Sequence, residues 1–470
     1  MGWSGRLPLY SLQNCVAGDE SCDEMGWSQN SEGVSPANEG GKARRRPRGL
    51  PCGMDISYSP DAAVYREKVQ GFLGEHLPAD WRGLGALGHV EAGEFTKSWR
   101  STLSANGYLA LSWPKEFGGA GLTPLESVVL AEEFAKAGVP TGGSNDGFGI
   151  SMLGNTMLKW GTDDQKRHYL PRVLSGEDLW CQGYSEPAAG SDLGNLGCRA
   201  ELDGDEWIIN GQKIWTSGGH TANHIFVLAR TDTTAQKHRG ISFLLVDMRQ
   251  PGVEVRPIKM MSGESEFNEV FFSDARCPRG DVLGEVNGGW AVAMTLLGNE
   301  RGAGAAVNAI GFRVELNRLT ELARQRGLTQ DPHIRQRLAR AHTSVEIMRY
   351  AGYRALTSFL NGKQPGADAS TGKLFWSQYH QEITELAVDI LGADAMTPTG
   401  QGPHGAFRFD APGAPNDSAN WVGVFYNARA GTIYAGTSQV QKGIVGEQIL
   451  GLPKEPRADG GPWNEIPGHG

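Results

Sequence analysis

Three short segments of the chain carry residues that could do chemistry. Residues 184–192 read Tyr-Ser-Glu-Pro-Ala-Ala-Gly-Ser-Asp, and residues 214–219 read Ile-Trp-Thr-Ser-Gly-Gly. Their aromatic, hydroxyl and glycine groups could cradle the ring of a flavin. Residues 297–301 read Leu-Gly-Asn-Glu-Arg and place one carboxylate, Glu300, in a small and apolar stretch. A flavin with a carboxylate beside it is the minimal equipment for removing a hydride and a proton from adjacent carbon atoms.

The elements that must position these segments follow an unusual order. Residues 54–178 show the apolar spacing of helices, and residues 179–285 show the short apolar runs of strands. Helical spacing returns over residues 286–453, and residues 454–470 form a tail. This order predicts a mainly α fold with a central β-domain, a barrel or sandwich, between two helical domains.

Local signals predict several element boundaries. Thr162 followed by Gln165 has the residue types of a capping box and predicts a helix start. Asn210-Gly211 lies between two apolar runs and predicts a hairpin turn, and Asp203-Gly204 marks another turn just before it. Further helices are expected over residues 125–137, 289–322, 372–391 and 437–450, and after Asp331-Pro332. Residues 397–420, rich in Gly and Pro, are too long for a plain connector and are either functional or disordered.

Composition limits the class of protein. A chain of 470 residues with 39% hydrophobic and 21% charged residues fits a globular protein of two or three domains. No apolar run is long enough to span a membrane. The formal net charge of −9 argues against a nucleic-acid-binding surface. The six cysteines lack the close spacing of a zinc site, which favours free thiols in a reducing cytoplasm.

The first 53 residues differ from the rest of the chain. They are rich in Gly, Ser, Asn and Glu, and they end in a basic run at residues 42–48. They contain no apolar core of the kind a secretory signal needs, and their acidic residues argue against a transit peptide. The basic run could bind nucleic acid or a membrane surface. The favoured interpretation is a disordered extension, or a mis-assigned start with the natural one at Met54.

The order of elements and four motifs resemble the acyl-CoA dehydrogenase family over about residues 54–453. The resemblance implies an α-helical domain, a central β-domain and a C-terminal four-helix bundle. It also implies FAD as cofactor, an acyl-CoA substrate and an electron-transfer flavoprotein as acceptor. Each motif alone is weakly specific, but four in the family's order are strong evidence. The motifs are residues 112–119 (Ser-Trp-Pro-Lys-Glu-Phe-Gly-Gly), 184–192, 210–217 (Asn-Gly-Gln-Lys-Ile-Trp-Thr-Ser) and 433–441 (Ile-Tyr-Ala-Gly-Thr-Ser-Gln-Val-Gln).

The family reaction oxidises the Cα–Cβ bond of an acyl thioester to the 2-enoyl-CoA. A base takes the α-proton while flavin N5 takes the β-hydride. The α-proton is too weakly acidic for a carboxylate in water, so water must be excluded and the developing enolate must be stabilised by hydrogen bonds. By match with the family, the backbone N–H that binds the thioester carbonyl belongs to Ala435.

Ala435 is also where many members carry the catalytic glutamate, and alanine cannot accept a proton. A minority, resembling the isovaleryl and long-chain enzymes, place the base on a bundle helix. Aligning residues 289–294 with that helix, without a gap, puts Glu300 at the alternative position. A buried glutamate of raised pKa would suit a general base. The competing interpretation is a surface glutamate paired with Arg301 or Arg313.

The resemblance assigns the remaining contacts residue by residue. Trp215 would lie against the flavin ring, or would simply fill a core. The hydroxyl-bearing first turn of the last helix would bind a phosphate, or would only cap that helix. Flavin contacts are implied for Tyr184, Ser185, Gly190, Ser191, Trp215, Thr216, Ser217, Gly392, Thr437, Ser438 and Gln439, and substrate contacts for Ser191, Arg301 and Gly436.

Two segments depart from the family pattern. The flavin-diphosphate segment, usually Leu-Gly-Gly-x-Gly, reads Leu-Gly-Ala-Asp-Ala at residues 391–395, so an aspartate stands where phosphates would approach. The Arg-x-x-Phe-Gly segment is missing, and residues 324–327 (Arg-Gln-Arg-Gly) are the nearest substitute. Both segments normally serve a neighbouring subunit's flavin. The pattern resembles actinobacterial members that form heterotetramers, some of which act on CoA esters of steroid side chains. Roles in fatty acid β-oxidation and in steroid degradation both fit the resemblance.

Three functions stay open at this point. The leading one is a FAD-dependent acyl-CoA dehydrogenase with Glu300 as base, in a homo- or heterotetramer. The second is a catalytically silent subunit that completes another chain's flavin site. The third is a flavin oxidase or monooxygenase on the same fold. Residues 397–420 could belong to a subunit interface or to the acyl pocket.

Overall fold

The computed structural model describes residues 60–301, 304–360, 369–404, 411–454, 456 and 461–466. The expected extension over residues 1–53 lies outside the described residues, as does part of the 397–420 loop. None of the described helices is long and apolar enough to cross a bilayer.

Helices come first, then strands, then helices again, as the sequence predicts. The first group is α1 (Pro60–His76), α2 (His89–Ala105), α3 (Pro124–Ala137), a π-helical turn (Gly147–Gly154), α4 (Asn155–Trp160) and α5 (Asp163–Ser175). The strands are β1 (Trp180–Gly183), β2 (Arg199–Asp203), β3 (Glu206–Ser217), β4 (His224–Arg230), β5 (Ile241–Asp247), β6 (Val253–Pro257) and β7 (Phe267–Pro278). The last group is α6 (Gly289–Arg301), α7 (Gly304–Gln325), α8 (Pro332–Leu360), α9 (Ala369–Leu391), α10 (Ser418–Ala430) and α11 (Ser438–Ile444).

The predicted start of α5 is confirmed. The Thr162 hydroxyl accepts a hydrogen bond from the Gln165 N–H, and the Gln165 side chain accepts one from the Thr162 N–H, so two otherwise unpaired donors are satisfied. The Gln165 amide also donates to the carbonyls of Gly280 and Val282, each at 2.9 Å. One capping residue therefore also fixes α5 against the end of the β-domain.

The strands of the described residues form one curled sheet in the order β1-β4-β2-β3-β7-β6, with β5 paired to β4. The prediction of a hairpin at Asn210-Gly211 is wrong. Strand β3 runs straight through these residues, and the hairpin turn lies earlier, at Gly204 and Asp205, where Asp203 pairs with Glu206. Asn210 instead exchanges side-chain and backbone hydrogen bonds with Asp274 on β7, beside a register shift that follows Ile209. An Asn-Gly pair is suited to a β-bulge inside a long strand as well as to a hairpin turn.

The C-terminal helices differ from the sequence pattern in two places. The expected helix over residues 289–322 corresponds to α6 and α7, and residues 302 and 303 between them lie outside the described residues. Helix α10 has no counterpart among the predicted elements. Its apolar residues are mostly β-branched or aromatic, so its pattern resembles a strand, although the Asp417 side chain caps its first turn.

The described core divides into three apolar clusters. One joins the N-terminal helices to one face of the sheet, through Trp113, Phe226 and Phe243 among others. A second lies on the other face of the sheet, and a third lies between α7, α8, α9 and α10. Val292 and Leu296 of α6 belong to the first cluster and not to the bundle cluster. The helix that carries Glu300 is therefore packed against the sheet and the N-terminal helices.

Candidate active site

The segment over residues 184–192 leaves strand β1 at a buried tyrosine. The Tyr184 ring meets Phe226 and Phe243 edge-on, with centroids 5.9 and 6.3 Å away. The Ser185 carbonyl accepts a hydrogen bond from the Ile214 N–H at 2.9 Å. Two of the three segments that opened the sequence argument are thus hydrogen-bonded to each other.

A buried ion pair, which the sequence analysis missed, joins these two segments a second time. The Lys213 side chain is fully buried, and its Nζ donates to the Tyr184 carbonyl at 3.2 Å and to Glu186 Oε1 at 2.6 Å. Glu186 also accepts hydrogen bonds from the backbone N–H groups of Gly197 and Cys198. A lysine at an inward-facing position of a strand was the available signal, since Ile209 faces inward on the same strand.

Trp215 stands in a strained and open position. Its φ is +63°, in the left-handed region that bulky side chains avoid, at a break in the pairing of β3 with β7 between Lys213 and Thr216. The side chain is 56% exposed and meets Phe267 edge-on at 5.9 Å. This exposure does not fit the interpretation that Trp215 only fills a core. Strain of this kind is typically held at ligand-binding sites by the surrounding structure.

Two buried asparagine side chains hold the turn after Trp215. Asn268 Nδ2 donates to the carbonyls of Thr216 and Glu266 at 2.9 and 3.1 Å. Asn145 Nδ2 donates to the Gly218 carbonyl at 3.3 Å, and the Gly218 N–H donates to the Glu266 carbonyl. Burial raises the pKa of the Glu266 carboxyl. These bonds fix the backbone on both sides of Ser217, which is half-buried.

Thr216, the next residue in the strand, is buried. Its hydroxyl has no hydrogen-bond partner among the described residues. A buried hydroxyl without a partner is rare in folded proteins and calls for an explanation such as a ligand or a bound water.

A second strained turn lies before α11. Ala435 has a φ of +49° and Gly436 a φ of +88°. The Ala435 carbonyl accepts a hydrogen bond from Gln441 Nε2 at 3.2 Å. A φ of +88° favours glycine at position 436, and a Cβ there would lie 2.2 Å from that same nitrogen and displace the Gln441 amide. The exposed Ala435 N–H donates to none of the residues that the structure describes.

The first turn of α11 shows the local cap that the sequence left as an alternative. The Thr437 hydroxyl accepts a hydrogen bond from the Val440 N–H at 3.2 Å. Ser438 and Gln439 follow in that turn, and α11 extends for only 7 residues. The Thr437 hydroxyl is thus already used within the chain.

Helix α6 is anchored at its start. Its first residue, Gly289, lies so close to β5 that a Cβ would be 2.5 Å from the Phe243 nitrogen. The Trp290 ring stacks near His238, with centroids 4.3 Å apart, and the Trp160 indole donates to the Thr295 hydroxyl at 3.0 Å. The helix direction is therefore set by the β-domain and by α4.

Glu300 and Arg301 are the last two residues of α6, and their side chains lie outside the described part of the chain. Among the described residues, Arg313, one proposed partner of Glu300, donates to Glu346 and to His342. The structure thus places the Glu300 backbone at the end of α6, and the role of Glu300 as a base stays a prediction.

The segment over residues 391–395 is occupied by contacts within the chain. Gly392 has a φ of +58° and is exposed. Arg326 Nη2 donates to Asp394 Oδ2 at 2.6 Å, and Arg326 Nη1 donates to the Leu391 carbonyl at 3.3 Å. The two segments that depart from the family pattern are therefore bound to each other. The described hydrogen bonds of this segment stay at the end of the bundle and do not reach the sheet.

Comparison with known proteins identifies the family. Models of the acyl-CoA dehydrogenase N-terminal, middle and C-terminal domains match residues 59–177, 181–275 and 287–450.

Individual relatives agree with these models. The acyl-CoA dehydrogenase IpdE1 of Mycobacterium tuberculosis is 42% identical over 402 residues, which cover 84% of this chain and 99% of that protein. The solved structure of the Tcur3481-Tcur3483 steroid ACAD is 32% identical with a TM-score of 0.71, over 86% of this chain and 100% of that one. The ChsE4-ChsE5 complex of M. tuberculosis is 30% identical with a TM-score of 0.67, over the same shares. The predicted fold class is thereby confirmed, and the chain belongs to the acyl-CoA dehydrogenases, a family of flavin-dependent oxidoreductases.

Proposed function

We propose that this chain oxidises the Cα–Cβ bond of an acyl-CoA thioester to the 2-enoyl-CoA with FAD as its cofactor, using Glu300 as the base. The observation that carries the proposal is the Ala435 turn. It combines an exposed residue, whose N–H has no partner among the described residues, with a left-handed backbone, at the position where the family binds the thioester carbonyl. Because alanine cannot take the proton, the base must come from another residue.

The residues around the sheet fit a flavin ring. Trp215 is exposed and strained, and the Thr216 hydroxyl is buried without a described partner. Tyr184, Ser185 and Ser217 would line the same surface, because Lys213 and Ile214 bind the first segment to the strand that carries the second. Gly190 and Ser191 follow from the first segment, where both are exposed. When bound, FAD supplies the acceptor for the hydride that leaves the β-carbon.

The chain's own residues would divide the remaining work. The Ala435 N–H donates to the thioester carbonyl and stabilises the enolate as negative charge develops on that oxygen. The Glu300 carboxylate receives the α-proton and becomes a carboxylic acid. Ser191, Arg301 and Gly436 would contact the substrate. Thr437, Ser438 and Gln439 would lie toward the cofactor's phosphates, although Thr437 already caps α11.

The end of the bundle does not fit a diphosphate. Asp394 is exposed there and would repel phosphate, and the nearby cation Arg326 is already paired with it. We therefore infer that a different acyl-CoA dehydrogenase chain supplies this part of one flavin site, in a heterotetramer. Two similar solved structures, the Tcur3481-Tcur3483 steroid ACAD and the ChsE4-ChsE5 complex, are described as pairs of chains, which supports this inference. The first is described as a steroid ACAD, which supports a steroid-derived acyl group as substrate. The family resemblance supports an electron-transfer flavoprotein as the electron acceptor.

A second candidate function follows from the same observation. A chain whose bundle end cannot bind a diphosphate could be the silent subunit that completes a partner's active site. The sheet surface around Trp215 favours the catalytic function. The Asp394–Arg326 pair favours a chain whose flavin binding depends on a partner.

The test is to purify the full chain alone and with a co-expressed partner, and to measure flavin absorbance near 450 nm per chain. Glu300→Gln should keep the flavin and lower turnover by about 10³-fold or more, since a positioned base contributes about 10²–10⁴-fold. Glu321→Gln, a surface carboxylate that pairs with Arg324 on α7, is the matched control and should retain activity. Normal turnover in Glu300→Gln would falsify the assignment of the base.

A further inference from the structure

A short segment near the C-terminus binds to the β-domain. Residues 461–466, here called the strap, lie along the connection between β4 and β5. The Trp463 N–H donates to the Ala235 carbonyl at 2.9 Å, and the Asn464 N–H donates to the Thr233 carbonyl at 3.0 Å. Pro462 and Gln236 form an antiparallel bridge. The strap therefore pairs with the connection in the manner of an added strand.

The side chain that fixes the strap is a tryptophan stacked on a buried cation. Trp463 is 4% exposed, and its ring centroid lies 4.7 Å from the guanidinium carbon of Arg230. Arg230 is 1% exposed, and burial lowers the pKa of its guanidinium to about 10. An aromatic face over a desolvated cation is a favourable arrangement. Trp463 thus covers a charge that would otherwise meet solvent.

Arg230 in turn holds the loop that follows the flavin segment. Its Nη2 donates to the carbonyls of Gly194 and Leu196 at 2.8 and 3.3 Å. Its Nη1 donates to the Lys237 carbonyl at 2.7 Å, and Lys237 Nζ pairs with Asp192 Oδ2 at 2.6 Å. The loop over residues 192–196 is therefore bound to the Arg230 guanidinium at both ends, directly at Leu196 and through Lys237 at Asp192.

The strap also lies close to Glu186, whose ion pair with Lys213 binds residues 184–186 to β3. A Cβ on Gly197 would lie 3.8 Å both from Glu186 Oε2 and from the Trp463 ring. Glu186 is the partner of Lys213, the buried lysine that binds residues 184–186 to β3. Ser191 is exposed. Along the chain it lies between Glu186, which pairs with Lys213, and Gly194, which binds Arg230. The position of Ser191 thus depends on the contacts of Glu186 and of Arg230, and both sets of contacts lie beside the strap.

We propose that the strap is a positioning element for the acyl-CoA-binding loop over residues 190–197, with Trp463 as its positioning residue. The proposal rests on the proposed function, in which Ser191 contacts the substrate, and it assigns that contact to the CoA part. Removing the Trp463 ring would uncover Arg230 and loosen its bonds to the loop. The chemistry at Glu300 and Ala435 does not involve these residues. The strap should therefore govern the affinity for CoA and leave the rate of the chemical step unchanged.

The experiment compares three variants of the full chain, purified with its flavin and with any partner it requires. Trp463→Ala removes the ring, Trp463→Phe keeps an aromatic face over Arg230, and Asn464→Ala is the matched control. Asn464 neighbours Trp463 but is exposed, and its hydrogen bond to Thr233 uses the backbone. Two quantities are measured: the dissociation constant of coenzyme A itself by calorimetry, and kcat and KM for any thioester that the wild type oxidises.

For Trp463→Ala we expect the dissociation constant of coenzyme A and the KM to rise about tenfold, with kcat per bound flavin unchanged. Trp463→Phe should restore most of the affinity, and Asn464→Ala should match the wild type. Unchanged affinity in Trp463→Ala, or a fall in kcat and flavin content without a change in affinity, would overturn the strap proposal. A wild type that binds coenzyme A but oxidises no thioester would overturn the proposed function, while the binding measurement would still test the strap.

Discussion

The two halves of the candidate flavin site are built in opposite ways. On the sheet, the buried side chains of Lys213 and Asn268 hold a strand end where Trp215 is strained and exposed and the buried Thr216 hydroxyl has no described partner. At the end of the bundle, the exposed Asp394 and Arg326 satisfy each other. A surface that binds a ligand can have unpaired polar groups and backbone strain when the ligand is absent, because ligand binding compensates for both. A surface whose charges are paired within the chain gains little from a ligand.

The ring half of the site should depend most strongly on Lys213. Lys213→Met leaves the Glu186 carboxylate buried without its cation, and we expect the free energy of unfolding to fall by about 3 kcal/mol. Flavin should be lost as well, because residues 184–186 would no longer be bound to β3. Urea unfolding and the 450 nm absorbance of the purified protein measure the two effects. Adding Glu186→Gln should restore part of the stability.

A buried pair inside the bundle supplies the control for Lys213. His380 Nε2 and Glu315 Oε1 lie 3.2 Å apart, and both side chains are buried. His380→Leu leaves Glu315 unpaired and should destabilise the protein by a similar amount. It should not change the flavin bound per folded chain. Equal flavin loss in both variants would mean that Lys213 acts only through stability.

Trp215 should separate stability from binding. Trp215→Gly relieves the left-handed strain and removes an exposed side chain, so the free energy of unfolding without flavin should stay within about 1 kcal/mol of the wild type. The affinity for FAD should fall about tenfold, as expected for the loss of a stacked aromatic face. Fluorescence titration of the flavin-free protein measures this affinity.

Asp274 is the matched control for Trp215, since its φ of +53° lies in the same left-handed region outside the candidate site. Asp274→Gly should leave the affinity for FAD unchanged. Destabilisation of the flavin-free Trp215→Gly protein, with normal FAD affinity, would show that Trp215 is a structural residue.

The sequence predicted the two halves unequally. The segments of the candidate ring site could be recognised because their glycine, hydroxyl and aromatic residues are contiguous. The brace at Lys213 and Glu186 joins residues 27 positions apart, and nothing local marks that pairing. The Asn210-Gly211 hairpin failed for the same reason, since this part of β3 pairs with β2 and β7 and not with its own continuation. Likewise, the sequence marks Asp394 as unfavourable for phosphate, but only the structure shows that Arg326 neutralises it.

The bundle half should respond to the removal of its aspartate. Asp394→Ala frees Arg326 to bind phosphate, so the chain purified alone should retain more flavin than the wild type. Stability should change by less than about 1 kcal/mol, because the pair is exposed. Asp389→Ala, which breaks the exposed pair between Asp389 on α9 and Arg337 on α8, is the matched control and should not change flavin content. If flavin content stays at the wild-type level in Asp394→Ala, the aspartate is not what prevents binding.

The smallest effect concerns Glu266, whose carbonyl holds the turn after Trp215. Burial raises the pKa of its carboxyl above the unfolded value, so the folded state binds its proton more tightly. The associated stability is complete below the unfolded pKa and is lost as the pH rises through the folded pKa. Glu266→Gln should therefore stabilise the protein at about pH 7 relative to the wild type, with a smaller difference at about pH 4.

Urea midpoints of the Glu266→Gln variant and the wild type at the two pH values measure this difference. Glu254→Gln is the control of opposite sign, because the side-chain hydrogen bond from Arg256 lowers the pKa of Glu254. The stability that Glu254 contributes is present above its unfolded pKa and is lost as the pH falls. A Glu266→Gln variant less stable than the wild type at about pH 7 would mean that this carboxylate makes an attractive contact. The turn beside Trp215 would then be held by charge as well as by buried amides.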